Sequence, residues 1–116
     1  MKILLCKQGE EAIITEIEND LSAFQQTVGG YIECITLSPD LVAICNEDGK
    51  LIEGMLPNRW CRGDVIYGDF FFAGADEDEF CDIPEKYFAQ LKALYGEPQY
   101  DKEGERVLCF RPKVKS

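Results

Sequence analysis

The sequence contains no histidine. That absence removes the Ser-His-Asp and Cys-His arrangements that activate a nucleophile. It also removes His-ligated zinc and the side chain that ordinarily titrates near neutral pH. Acid–base chemistry would fall to Asp, Glu, Lys, Tyr or Cys with displaced pKa values. Clustered cysteine is missing too. Cys6, Cys34, Cys45, Cys61, Cys81 and Cys109 are present, but no two stand as C-x-x-C, so the spacing of zinc or iron–sulfur sites is absent. No metal and no cofactor is expected. Long apolar runs are absent as well. The N-terminal run is Ile3-Leu4-Leu5-Cys6, short of the about 7–15 residues of a signal-peptide core and of the ~18 needed for a membrane span. The expected compartment is therefore the cytoplasm, where thiols stay reduced. The cysteines are expected to be buried free thiols, because Cys6, Cys34, Cys45 and Cys109 lie in apolar, strand-like segments.

Positive charge is scarce. Twelve basic side chains face 22 acidic ones, a net charge of −10. Such a balance repels nucleic-acid phosphates and anionic membranes. Neither direct nucleic-acid binding nor membrane binding is expected, whereas a basic protein partner would be attracted. The last eleven residues hold basic and no acidic side chains, so the acidic excess belongs to the rest of the chain.

What is present is enough for one domain. The chain has 116 residues, 46% of them hydrophobic, and a chain of this size buries roughly two-thirds of its unfolded surface. The apolar pattern predicts strands over residues 2–6 and 12–17, joined as a hairpin through Gly9. A short helix is expected over 20–28, capped by Asn19 or Asp20, with Leu21, Phe24 and Val28 on one stripe and Gly29-Gly30 as its stop. Residues 31–37, 41–45 and 50–52 read as a three-strand meander, with Asp48-Gly49 as its second turn. Residues 56–63 read as irregular. Residues 64–74 read as one strand, with Gly68 as a bulge or close approach. Phe70 and Phe72 would share one face of it and Phe71 the other. A second helix is expected over 83–95, with Asp82 and Glu85 in capping roles and Gly96 and Pro98 as its end. Residues 106–110 read as a terminal strand. The fold class is α+β: a mainly antiparallel sheet, built from a hairpin and a meander, with two helices packed on one face. A single domain is expected over 1–111, followed by a frayed tail over 112–116.

Several stretches combine into a resemblance. They are Val28-Gly29-Gly30-Tyr31-Ile32-Glu33, the Asn46-Glu47-Asp48-Gly49-Lys50 turn, Pro57-Asn58-Arg59, and the glycine-flanked strand Gly68 to Gly74. Together they resemble the family labelled domain of unknown function 3846, found in bacterial, phage and mobile-element genomes, over roughly residues 1–95. The resemblance implies a small stand-alone cytoplasmic protein of bacterial or phage type. It brings no catalytic residues.

Two segments stand out as candidate partner-binding sites. Asn58, Arg59, Trp60 and Arg62 place the sole tryptophan between two arginines on an expected loop, and Trp and Arg are enriched at binding hot spots. Asp76, Glu77, Asp78 and Glu79 form a run of four carboxylates, expected as an exposed acidic loop that favours a basic partner or, as the alternative, a divalent cation. Two other motifs carry less. Val28-Gly29-Gly30-Tyr31 lacks a phosphate loop's Gly-Lys-Ser/Thr ending and leads into a strand rather than a helix. Asn46-Glu47-Asp48-Gly49 lacks the ligand spacing of a calcium loop. The expected function is a non-catalytic protein-interaction or accessory module. The alternatives are an acidic nucleic-acid mimic that inhibits a DNA-handling protein, and a small-ligand binder or enzyme using carboxylates. Oligomeric state is open.

Overall fold

Short stretches of three to seven residues form the strands, and each finds a partner strand. The computed structural model describes residues 1–107. Cys109, residues 108–110 of the expected terminal strand, and the expected tail over 112–116 lie outside the described residues. The strands are β1 (Lys2–Cys6), β2 (Ile13–Glu16), β3 (Ile32–Ser38), β4 (Leu41–Asn46), β5 (Pro57–Cys61), β6 (Asp64–Tyr67), β7 (Phe70–Asp76) and β8 (Glu79–Cys81). Two α-helices accompany them, α1 (Leu21–Val28) and α2 (Phe88–Tyr95). The main sheet runs β2-β1-β7-β4-β3, with β8 also paired to β7, and every pairing in it is antiparallel. β5 and β6 form a separate hairpin. The molecule is an α+β domain, a mainly antiparallel sheet with two helices packed on it.

The core lies on both faces of the sheet. On one face Leu4, Cys6, Ala43, Phe70 and Phe72 pack with Leu91 of α2 and with Cys61 and Ile66 of the β5–β6 hairpin. On the other, Ile3, Val42, Ile44 and Phe71 pack with Phe24 and Val28 of α1. The helices therefore sit on opposite faces, not on one. A buried central strand has two apolar faces, and each needs its own cover. β4 and the Phe70–Ala73 part of β7 are buried throughout. Phe70-Phe71-Phe72 alternates as the pleat requires, and all three rings are inaccessible. α1 is capped as its sequence predicts: the Asp20 carboxylate accepts from the Ala23 N–H at 2.8 Å, and the Gly29 N–H donates to Gln25 O.

Four expectations need correction. Residues 50–52 are not a return strand. β4 already has β3 on one edge and β7 on the other, so no edge is free for one. Asp48 instead leads into a 3₁₀ turn, Gly49–Leu51, set by the Asp48 N–H donating to Asn46 Oδ1 at 2.7 Å. Residues 56–63 are not irregular, since they hold β5. Residues 64–74 are two strands in different sheets. Gly68, at φ +81°, breaks them apart with its N–H on Leu56 O, a backbone angle that glycine takes without steric cost. The second helix begins later than residue 83, with a 3₁₀ turn at Glu85–Tyr87 and no side-chain cap. Asp82 is spent elsewhere: its carboxylate accepts the Lys2 N–H at 2.8 Å. Of the expected terminal strand, Arg106 bridges Tyr100 and the Val107 N–H donates to Gln99 O.

Candidate functional site

Asn58 and Arg59 do not reach the surface; both are 0% exposed. All five N–H groups of the Arg59 guanidinium are occupied. Nε donates to Tyr95 O at 2.7 Å, Nη1 to Asn58 Oδ1 at 2.6 Å and Lys7 O at 3.3 Å, and Nη2 to Glu10 O at 2.6 Å and Gly96 O at 3.2 Å. No carboxylate is among these partners. Tyr95 O and Gly96 O sit at the C-terminal end of α2, where the helix dipole attracts a cation. Burial lowers the Arg59 pKa, but an arginine remains charged. Asn58 Nδ2 donates to Cys6 O and Gly68 O, both at 2.8 Å. The pair is a structural hub that ties the β5–β6 hairpin to β1 and to α2. As partner-binding candidates both residues are withdrawn, because a fully enclosed side chain cannot meet a partner.

Trp60 and Arg62 are placed differently. Trp60 points outward and is 45% exposed. Its backbone N–H donates to Gln99 Oε1 at 2.9 Å. Arg62 and Gly63 form the two-residue tip of the β5–β6 hairpin at φ 55° and 83°. Two central residues with positive φ are what the twist of a tight hairpin selects. For arginine that backbone costs about 1–2 kcal/mol. Arg62 Nη1 leans toward Leu37 O of β3, at 3.4 Å.

Asp76–Glu79 is not a loop but the tip of the β7–β8 hairpin. Asp76 and Glu79 are paired across it, an arrangement that is destabilising for like charges. Glu77 holds φ 57° at the tip. Among the described residues no ion pair neutralises these four carboxylates. No group of three or more Cys, Asp or Glu side chains among the described residues is arranged to hold a metal ion.

Two concavities flank β3, one on each face of the sheet. The first, about 370 Å³, lies between β3–β4 and the β5–β6 hairpin. Ile35, Cys45 and Ile66 line it as apolar residues, and Glu33, Glu47, Asp48 and Asp64 bring carboxylates to it against a single cation, Lys50. Lys50 pairs with Asp64 and holds that carboxyl below the usual range. The second, about 240 Å³, lies on the α1 face beside Cys34 and Thr36, and Glu77, Asp78 and Glu79 border it. The carboxylates of the second are adjacent in sequence, whereas Glu33, the Glu47-Asp48 pair and Asp64 of the first come from separate segments and meet only in the fold.

The thiols divide by position. Cys6, Cys45 and Cys61 are buried, Cys81 is half-buried, and Cys34 is exposed, against expectation, because it sits on an edge strand. Burial pushes the Cys6 and Cys45 thiols up to about 12 and raises those of Cys34, Cys61 and Cys81. At neutral pH all five stay protonated, the weakly nucleophilic form.

Fold and surface together define the class: an α+β domain with a buried arginine hub and an acidic sheet edge. The chain belongs to the family described as a domain of unknown function (DUF3846), whose model matches residues 1–96. No curated protein and no solved structure matches it. Among the described residues no helix is long and apolar enough to cross a membrane.

Proposed function

We propose that the protein is a non-catalytic accessory module, of bacterial or mobile-element type and working in the cytoplasm, that recognises a basic segment of a protein partner. The observation that carries this reading is the concavity between β3–β4 and the β5–β6 hairpin, where four carboxylates surround apolar residues and only Lys50 opposes them. Apolar residues ringed by charges of one sign suit a lysine or arginine side chain, whose alkyl stem packs while its head pairs. The net charge of −10 adds long-range attraction. Trp60 and Arg62, exposed on the same hairpin, are further contact candidates, as are Asp76, Glu77, Asp78 and Glu79 on the other face.

A lysine-rich peptide titrated into the protein tests this reading. Glu33→Gln with Glu47→Gln is expected to weaken binding by about tenfold, while Glu11→Gln with Glu103→Gln, equal in charge but remote, leaves it near the native value. Equal loss in both pairs would reduce the effect to net charge and remove the site.

A further inference from the structure

The outer edge of β3 is unpaired among the described residues, since β3 pairs only with β4 and ends the main sheet. The register shows which of its backbone groups are free. The Glu47 N–H donates to Tyr31 O at 2.9 Å, which makes Tyr31 and Glu47 a hydrogen-bonded pair. In an antiparallel ladder such pairs alternate with non-bonded ones. Glu33↔Cys45 and Ile35↔Ala43 are therefore bonded inward, and Ile32↔Asn46, Cys34↔Ile44 and Thr36↔Val42 are the non-bonded pairs. The N–H and C=O groups of Ile32, Cys34 and Thr36 thus face away from the sheet. The run ends at the bulge between Thr36 and Ser38, and Arg62 leans toward Leu37 O just beyond it.

We infer that the basic partner segment binds in extended form, as an added strand on the β3 edge. This rests on the recognition of a basic segment proposed above and names its geometry. Side chains of a strand alternate between the two faces of a sheet. One set on the added strand would enter the concavity bordered by Glu33, Glu47 and Asp64, and the other would lie over Glu77–Glu79. Both sets meet carboxylates, so the matching segment carries lysine or arginine on both faces. Main-chain hydrogen bonds hold it, and the flanking concavities select it. A second copy of this chain is a poor occupant, because pairing two β3 edges would bring Glu33 and its neighbouring carboxylates against their own kind. Among the described residues the other unpaired edges, on β2 and β8, have four and three residues to the seven of β3.

The test uses a lysine–valine peptide of about seven residues, the length of a typical strand, with its lysines in adjacent pairs so that both faces carry them, beside an analogue N-methylated at every backbone amide. The analogue keeps the charge and loses its donors. The lysine–valine peptide is expected to bind and to slow hydrogen exchange at the Ile32, Cys34 and Thr36 amides, and the analogue to bind about tenfold more weakly or worse. Cys34→Pro, which deletes an outward N–H and leaves the β3–β4 ladder intact, is expected to lose binding to the same degree. Binding of both peptides alike, or binding with unchanged exchange at those amides, would overturn strand addition while leaving basic-segment recognition in place. Binding by neither peptide at low salt would overturn both. The analogue decides the question even if the proline variant fails to fold.

Discussion

Arg59 stands among backbone carbonyls contributed by the β1–β2 connection and the end of α2. A planar fork with five donors meets five acceptors here, and no other side chain can do that. Lysine has three donors and no fork, so Arg59→Lys leaves buried acceptors unsatisfied. Each such group costs about 1–3 kcal/mol. Arg59→Lys is expected to destabilise by about 3 kcal/mol and Arg59→Ala by more, against a total of roughly 5–15 kcal/mol for a domain. Urea unfolding followed by Trp60 fluorescence measures this. A lysine variant as stable as the native protein would show that the hub carries little. An Asn58→Ala, Arg59→Lys double variant should be less destabilised than the two single losses combined, because the residues share a hydrogen bond.

At the scale of elements, the Ser38-Pro39-Asp40 corner between β3 and β4 is fastened to the segment leading into α2. Asp40 accepts from Tyr87 and Ser38 and pairs with Lys86 at 2.8 Å. Lys86, then Tyr87, hold its carboxyl well below the usual range. A depressed folded-state pKa stabilises above the unfolded value, 3.8 here, and that contribution is lost as pH falls further. Asp40→Asn is accordingly expected to lower the melting temperature at pH 7 and to close the gap with the native protein as the pH drops below about 4. A gap that persists in acid would assign the effect to geometry rather than charge. How far the elements were legible follows from the same physics. β1–β2 and β3–β4 show as short apolar or β-branched runs, and α1 as an apolar stripe with a true cap. β5 does not, because Asn58 and Arg59 go inside while Trp60 goes out, the reverse of what polarity predicts. Asp82 looks like a cap but is engaged by Lys2, and Asp48-Gly49 looks like a hairpin turn where β4 has no free edge. The acidic site was legible only in Asp76–Glu79, which are adjacent in sequence. Glu33, Glu47 and Asp64 lie far apart along the chain and meet only through the fold.

For the whole molecule, charge acts on folding and on binding with opposite signs. Twenty-two acidic side chains confront twelve basic ones, and the ion pairs found among the described residues are all exposed, a class worth about 0–1 kcal/mol each. Self-repulsion is thus the larger exposed electrostatic effect on the folded state. Raising ionic strength from about 0.01 M to about 0.15 M shortens the Debye length from roughly 30 Å to roughly 8 Å and screens that repulsion. The melting temperature is expected to rise, by about 4 °C if about 1 kcal/mol of repulsion is relieved. Over the same range the complex with a lysine–valine peptide is expected to weaken, because attraction between exposed charges is screened equally. Thermal melts and peptide titrations along one salt series read both slopes. A melting temperature that falls with salt would mean that the exposed ion pairs outweigh the repulsion. A complex insensitive to salt would mean that apolar contact and strand pairing hold the segment, with the carboxylates serving only to keep the chain apart from its own copies.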